Sequence, residues 1–250
     1  MQAPDRFHAS SHNVAIAKAI REDVPLARGD RILDLGCGTG ALVGLLAAET
    51  PAHVVGLNRG AKIWFDRKLG YLAASPQELA VVRPGSSLVL GDGFALPFSQ
   101  GSFRLVTLIE VLDHVRDNPS FLRAVGSVLS PGGYLCIVVP NRRQLLDHHF
   151  GEVSQLPLFG FYPCRLQDRL LARGVAKGSW LHHLFSREDL RQLLGADFDV
   201  LRLEYRPYVF DHLRERSPLL GFAAKRLYGI LFRLFPSFGG TVFCLARKRG

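Results

Sequence analysis

The segment Arg31–Gly40, RILDLGCGTG, decides the fold. It begins as a short apolar run, and Gly36, Gly38 and Gly40 then follow at alternate positions. Glycines in such a turn let the backbone approach a ligand closely because they have no Cβ atom. Residues 41–50 have the composition of a helix, and the free N–H groups of its first turn would point at the same ligand. The segment therefore predicts a strand, a turn and a helix around a nucleotide-type ligand, a class that on glycine spacing alone includes dinucleotides.

Strand-like and helical segments alternate on both sides of this motif. The sequence predicts helices at 12–24, 41–50, 60–80, 118–129, 186–194 and 217–235, and strands at 31–35, 53–57, 87–90, 103–109, 134–139, 198–203 and 241–246. Pro-Gly-Gly at 131–133 is expected to stop the helix before it. Continuous apolar strands that alternate with helices indicate a parallel sheet covered on both faces, and right-handed crossovers then give a doubly wound α/β fold.

Length and composition favour a single domain. The chain has 250 residues, of which 48% are hydrophobic and 21% charged, as in an ordinary globular protein with a full core. We expect a core at about 25–140 and 186–250, a cap or lid at 141–185, and a helical insertion at 204–240 before the last strand. The irregular cap segment follows the fifth strand, so it is expected beyond the carboxyl edge of the sheet, where open α/β folds bind ligands.

Positive charge is concentrated toward the C-terminal end. The formal net charge is +9, and residues 201–250 hold ten Lys or Arg against three acidic residues. A basic surface suggests an anionic neighbour, either a membrane or a nucleic acid, although a solubilising face explains the same charge. The four cysteines form no CxxC pair, the first twenty residues lack a signal-peptide core, and no run of eighteen residues is uniformly apolar. These features predict a cytoplasmic protein without a spanning helix.

Further motifs follow the glycine turn in a definite order. They are Val54–Asn58, Gly91-Asp92, Leu96-Pro97-Phe98 with Ser102-Phe103, and Pro131-Gly132-Gly133. Together with Asp-Leu-Gly-Cys-Gly-Thr-Gly they resemble the motifs of class I S-adenosylmethionine (SAM)-dependent methyltransferases. The resemblance covers roughly residues 30–142. It implies SAM as cofactor and a Rossmann-like sheet, mostly parallel with the last strand antiparallel, that carries helical cap insertions.

Within that family the chain is similar to ubiquinone-biosynthesis O-methyltransferases and related small-molecule enzymes. The similarity lies in Val106–Arg116, VTLIEVLDHVR, and in Asn141-Arg142 after the fifth strand. It implies O-methylation of a small hydrophobic acceptor, such as a quinone precursor, a lipid-linked sugar or a secondary metabolite. We expect the chain to be a monomer or a homodimer.

The resemblance also implies roles around the methionine end of SAM. Gly36, Gly38 and Gly40 would pass beneath the methionine part, and Cys37 would be a small residue inside the turn. Asp34 would orient this loop and receive the SAM amino group through water.

At the adenosine end the resemblance is broken at one position. Asp92 is implied to accept a hydrogen bond from the adenine amino group, with Gly93 and Phe94 flanking the ring. Family members usually place Asp or Glu at the end of the second strand to bind both ribose hydroxyls, whereas this chain has Asn58. The amide keeps one hydrogen bond but loses charge assistance worth about 1 kcal/mol. Arg59 beside it suggests, as an alternative, a cofactor variant that carries an extra carboxylate.

Two groups of residues are candidates to remove an acceptor's proton, a step that needs a base or a metal. His183 is a candidate base in the cap, as part of His182-His183, and His148-His149 is a similar pair. Solvated loop histidines are the alternative for both pairs.

The second group is Glu110, Asp113 and His114, of which the resemblance places Glu110 near the sulfonium and makes His114 a further candidate base. The three residues stand at i, i+3 and i+4, so a helix there would put them on one face, where they would bind a divalent cation. The alternative is that Asp113 and His114 hydrogen-bond around the helix start, with no metal.

Residues 219–235, LLGFAAKRLYGILFRLF, combine apolar side chains with three basic ones. Such a stretch suits a membrane interface, with its basic groups on anionic headgroups. A helix packed over the active site or in a dimer interface is the alternative.

Two other functions remain open. The basic tail supports an RNA or protein methyltransferase, but it lacks the interleaved aromatics of an RNA platform. The Asn/Asp-Pro-Pro-aromatic motif of enzymes that methylate base amino groups is also absent, so no nucleic-acid partner is expected. Asn58 and the irregular cap support a catalytically silent methyltransferase-like scaffold.

Overall fold

A seven-stranded sheet forms the centre of the computed structural model, which describes residues 11–59, 84–143, 162–163, 165–166, 169–170, 184–195, 197–207 and 218–250. The strands are β1 (Arg31–Leu35), β2 (His53–Asn58), β3 (Ser86–Leu90), β4 (Phe103–Ile109), β5 (Leu129–Pro140), β6 (Phe198–Arg206) and β7 (Thr241–Lys248). The helices are α1 (Ser11–Asp23), α2 (Ala41–Glu49), α3 (Asn118–Val128), α4 (Arg187–Leu194) and α5 (Pro218–Leu234), with 3₁₀ turns η1 (Leu112–His114) and η2 (Pro236–Phe238).

The strand order is β3-β2-β1-β4-β5-β7-β6. Strands β1 to β5 pair in parallel, and β7 runs antiparallel to both of its neighbours. The order reverses between β1 and β4, which makes their carboxyl ends a switch point where ligands bind in such sheets. The predicted doubly wound, Rossmann-like fold with an antiparallel last strand is confirmed.

The core has two layers because successive side chains of a strand point to opposite faces. On one face Ile32 packs with residues of α1 and α2, such as Ile16 and Leu46. On the other face Leu33 packs with residues of α3 and α4, such as Val125. The helices therefore cover both faces, as the continuous apolar strands predict.

The helices and the first four strands begin and end within one residue of their predicted bounds, whereas β5, β6 and β7 run longer. The prediction that Pro-Gly-Gly stops α3 is wrong. That helix ends at Val128, and β5 begins at Leu129, which is buried and paired with Phe103. Pro-Gly-Gly instead lies inside β5, where the register shifts before Tyr134.

Ser186 and Asp189 form the N-terminal cap of α4. The Ser186 hydroxyl accepts a hydrogen bond from the Asp189 N–H at 3.2 Å, and Asp189 Oδ2 accepts one from the Ser186 N–H at 2.7 Å. This is a complete capping box. The predicted helix at 60–80 and most of the predicted cap lie outside the described residues.

Within the described ranges, none of the helices has the length and apolar character that crossing a membrane requires.

Candidate active site

The glycine turn is held by the end of the neighbouring strand β2. The Leu57 carbonyl oxygen accepts hydrogen bonds from the N–H of Gly36 at 2.8 Å and of Cys37 at 3.2 Å. Gly36 and Gly40 have φ of +82° and +79°, a left-handed conformation that favours glycine. Gly40 is also the N-cap of α2, so no side chain caps that helix. The N–H groups of its first turn are therefore directed to a ligand or to water.

Gly36 lies against the segment that follows β4. A Cβ atom on Gly36 would come within 2.6 Å of Val111 Cγ2, so Val111 fills the space that a larger residue would need. Glu110, just before it, has φ +55°, which among the described residues is the one positive φ outside glycine. Strain of this kind concentrates at functional sites. The two loops are thus interlocked, and a ligand on the glycine turn lies close to Glu110.

Asp34 is a buried carboxyl group at the end of β1. It pairs in register with Thr107 of β4, whose hydroxyl donates to Asp34 Oδ1 at 2.6 Å. Burial raises the pKa of Asp34 from 3.8 to about 6, and the Thr107 hydrogen bond opposes part of that rise. Above pH 6 this site therefore holds a poorly solvated negative charge, which a cationic group of a ligand would stabilise.

Cys37 is a packing residue inside the turn. Burial raises the pKa of its thiol, and the nearby Asp34 charge adds to the rise. The thiol is therefore neutral at physiological pH. Its sulfur lies beside Gly56 of β2, and a Cβ atom added to Gly56 would come within 2.9 Å of that sulfur.

Asn58 links the glycine turn to the loop after β3. Its Nδ2 donates to the Gly38 carbonyl oxygen at 3.4 Å, and its own backbone carbonyl accepts from the Gly91 N–H at 2.9 Å. An aspartate or glutamate carboxylate has no proton for the first of these bonds. The Asn58 amide therefore stabilises the glycine turn through its N–H group, while its Oδ1 can accept a hydrogen bond from a ligand hydroxyl.

The loop after β3 presents Asp92 and Phe94. Asp92 Oδ1 accepts from the Phe94 N–H at 2.9 Å, and Asp92 Oδ2 lies 3.7 Å from Nη2 of Arg59. Arg59 has 88% of its side chain exposed, so this ion pair contributes little to stability. It does direct the guanidinium toward Asp92.

Phe94 is half exposed and is supported from below by Phe121 of α3. The two rings meet edge to face, with centroids 5.3 Å apart. A Cβ atom on Gly93 would come within 2.5 Å of the Phe121 ring, so glycine is needed for this loop to lie on the ring. The result is an exposed aromatic surface beside a carboxylate, which suits a purine.

The helix that the metal hypothesis requires does not form at Glu110. Strand β4 ends at Ile109, Glu110 adopts the left-handed conformation while its N–H donates to the Val138 carbonyl at 2.8 Å, and only the 3₁₀ turn η1 follows. Glu110, Asp113 and His114 therefore do not share a helical face. Among the described residues no group of three or more His, Cys, Asp or Glu side chains would hold a metal ion.

Asp113 and His114 instead contact each other, as the alternative interpretation predicts. Asp113 is 2% exposed, and its Oδ2 lies 3.3 Å from His114 Nε2. A buried carboxylate beside a partly exposed imidazole fixes the orientation of the ring.

The structure brings most of the predicted site residues to one edge of the sheet. Asp34, the glycine turn, Asn58, Asp92 and Glu110 all lie at or just beyond the carboxyl ends of β1 to β4. His148, His149, His182 and His183 lie outside the described residues.

Sequence reasoning missed Thr107, Val111 and Phe121, which support Asp34, Gly36 and Phe94. The signal for Thr107 was available, because it is the one hydroxyl in the apolar run FRLVTLI.

Comparisons with known proteins agree with this architecture. Residues 10–203 match the family model of a methyltransferase domain. The 2-phytyl-1,4-naphtoquinone methyltransferase of Synechococcus elongatus is 38% identical over 118 residues, which are 46% of this chain and 47% of that protein. The ubiquinone biosynthesis O-methyltransferase of Marinobacter nauticus is 36% identical over 123 residues, 49% of each chain. This chain thus spans about half the length of these curated relatives.

A solved SAM-dependent methyltransferase from Mesorhizobium loti has a similar fold. It superposes with a TM-score of 0.56 at 22% identity, and the match covers 92% of this chain and 96% of that one.

Proposed function

This chain belongs to the class I SAM-dependent methyltransferases, and from that premise we propose that it transfers the SAM methyl group to a hydroxyl of a small hydrophobic, quinone-type acceptor. The observation that carries the proposal is the convergence of a glycine turn, a buried carboxylate and an aromatic-carboxylate loop at the switch point of the sheet.

The described residues fit SAM end to end. Asp34 supplies negative charge for the ammonium group, and the uncapped N-terminus of α2 supplies donors for the carboxylate. Asn58 Oδ1 accepts a ribose hydroxyl, and Asp92 and Phe94 receive the adenine. Arg59 is directed toward Asp92, which supports ordinary SAM over a variant with an extra carboxylate. When bound, SAM supplies an activated methyl group, so positioning does much of the catalysis.

The acceptor class rests on the curated relatives, whose names specify a naphthoquinone and ubiquinone biosynthesis. Nucleic acid is a weaker candidate because three of the ten basic residues in 201–250 already pair with acidic residues of this chain. Arg202 pairs with Asp23 at 2.6 Å, Arg206 with Glu204 at 3.1 Å, and Arg249 with Asp199 at 2.7 Å.

The proposal is tested by incubating the purified protein with methyl-labelled SAM and separate pools of reduced quinones, simple phenols, bulk RNA and protein. Label in the quinol or phenol products, with mass spectrometry placing it on oxygen, is the expected result. Transfer to RNA or protein alone would replace the proposal, and transfer to carbon would correct the acceptor atom. No transfer, with binding of S-adenosylhomocysteine (SAH) intact, would favour the silent scaffold.

For the proton-removal step we propose His114 as general base, with Asp113 as the positioning residue. The Asp113 carboxylate, 3.3 Å from His114 Nε2, orients the imidazole, and an oriented neutral imidazole is suited to take the acceptor's proton. Glu110, four residues earlier and in the left-handed conformation, would add a carboxylate near the sulfonium.

His114→Gln is expected to lower kcat by about 100-fold or more while the Kd for SAH stays within about twofold. The deficit should shrink as the phenol acceptors become more acidic, because acidic phenols need less help to lose a proton. Arg116→Gln, an exposed change two residues away, is the matched control. A deficit that is constant across the phenol series would show that His114 only positions the acceptor.

A further inference from the structure

Helix α5 has one face that the protein covers. Tyr228 is buried, its hydroxyl donates to the Phe238 carbonyl oxygen at 3.0 Å, and burial raises its pKa to about 12. The Phe232 ring stacks on Tyr228, and a Cβ atom on Gly239 would come within 2.9 Å of Phe232. Through these contacts α5 is fixed to the 3₁₀ turn η2 that follows it.

Asn141 fixes that unit to the catalytic edge of the sheet. Asn141 is fully buried just after β5, and its Nδ2 donates to the carbonyl oxygens of Ser237 at 2.9 Å and Gly239 at 2.7 Å. Because β5 is parallel to β1 and β4, its carboxyl end lies at the same edge as the glycine turn. The C-terminal end of α5 therefore sits at the edge where SAM is proposed to bind.

The opposite face of α5 is apolar and exposed. Leu227, Ile230 and Leu234 stand at helical spacing on one stripe, and Leu227 and Leu234 are 63% and 65% exposed. Leu231 and Phe235, 39% and 56% exposed, extend the exposed apolar surface along the same side. A row of exposed apolar side chains on one face of a helix marks an interaction site.

The charge of α5 is entirely positive. The helix sequence, PLLGFAAKRLYGILFRL, contains three basic residues and no acidic one. Arg226 and Arg233, two turns apart, are exposed beside the apolar stripe, and neither has an acidic partner among the residues that the structure describes. The helix is thus amphipathic, with a basic edge.

We propose that α5 lies flat on an anionic lipid surface, with Leu227, Ile230 and Leu234 in the interface and Arg226 and Arg233 on lipid phosphates. In this position the acyl chains contact the apolar stripe, and the anionic headgroups pair with the two guanidinium groups. A second copy is a poorer occupant, because a two-fold contact would bring the same basic residues together.

Docking in this way brings the catalytic edge toward the bilayer. A lipid-soluble quinol would then reach the active site from the membrane rather than from water. This consequence, unlike the docking itself, rests on the proposed function.

The docking is tested by flotation of the full chain with phosphatidylcholine vesicles, with and without about 30% phosphatidylglycerol. The protein should float with the anionic vesicles and remain at the bottom with the neutral ones. Leu227→Ser with Leu234→Ser should reduce the bound fraction at least about tenfold, because two buried leucines are lost. Arg226→Gln with Arg233→Gln should weaken binding by about fivefold for each charge removed.

Matched controls are Val14→Ser, an exposed apolar position in α1, and Arg28→Gln, an exposed basic one. Both should float like the parent protein, and every variant should retain SAH affinity, which shows that the fold is intact. If the parent protein floats but does not bind SAH, the result would support membrane docking and contradict the proposed methyltransferase function. The docking is overturned if the parent protein stays at the bottom with both vesicles, or if gel filtration shows a dimer that the leucine changes dissociate.

Discussion

Replacing Gly36 with alanine is expected to lower the free energy of unfolding by about 2–4 kcal/mol and to weaken SAH binding by about 100-fold or more. Two effects add. The residue has φ +82°, where a side chain costs about 1–2 kcal/mol, and its new Cβ would come within 2.6 Å of Val111 Cγ2. Either the turn or the Glu110–Val111 loop must then move, and both belong to the proposed cofactor site.

Denaturant unfolding and SAH titration of a small set of variants separate the two effects. In the Gly36→Ala/Val111→Ala double variant the clash is removed but the backbone strain stays, so a favourable coupling above about 1 kcal/mol is expected. Gly44→Ala is the control within α2, since its Cβ meets nothing within 4 Å. It should stabilise the protein by about 0.5–1 kcal/mol. A Gly36→Ala protein as stable as its parent would refute the interlocked loops.

Asp34→Asn is expected to stabilise the ligand-free protein at pH 7.5 while weakening SAH binding by about tenfold or more. The folded-state pKa of Asp34 is raised to about 6 from 3.8, so the folded protein holds the proton more tightly than the unfolded chain. This contribution to stability is complete below about pH 4 and is lost as the pH rises through 6. Its full size is on the order of 2–3 kcal/mol.

Unfolding measured from pH 4 to pH 8, with and without SAH, checks this prediction. The amide side chain that Asp34→Asn introduces does not ionise, so the variant should lack the part of the pH dependence that lies between about pH 4 and pH 6. Thr107→Ser keeps the hydroxyl donor and should show the pH dependence and SAH affinity of the parent protein. If Asp34→Asn leaves both the pH dependence and the SAH affinity unchanged, then Asp34 neither carries the buried charge nor meets the ligand.

Much of this fold could be predicted because its signals are local. The apolar runs of β1, β2 and β4 are continuous, and Pro25 and Pro51 follow helices α1 and α2, so the bounds of these elements are correct within one residue. The order of the motifs also placed Asp34, Asn58 and Asp92 at one edge of the sheet, since parallel strands end together.

The errors lie where contacts distant in sequence decide the backbone. Spacing of i, i+3 and i+4 does not distinguish a helix from a left-handed residue followed by a 3₁₀ turn, and at Glu110 a bond to Val138 of β5 favours the latter. The bonds of Asn141 reach partners 96 and 98 residues away. The hydrogen bond from Asn58 to Gly38 likewise joins residues that are 20 positions apart, at the ends of two neighbouring strands.

Calorimetric titration of the purified chain with SAH tests the central claim most directly, because it asks only whether the site at the glycine turn binds this cofactor. We predict stoichiometric, micromolar binding that Gly36→Ala weakens by about 100-fold or more and Gly44→Ala preserves. Absence of heat and of competition with SAM up to millimolar SAH would contradict the cofactor assignment, and with it the catalytic roles given to Asp34, Asn58 and His114.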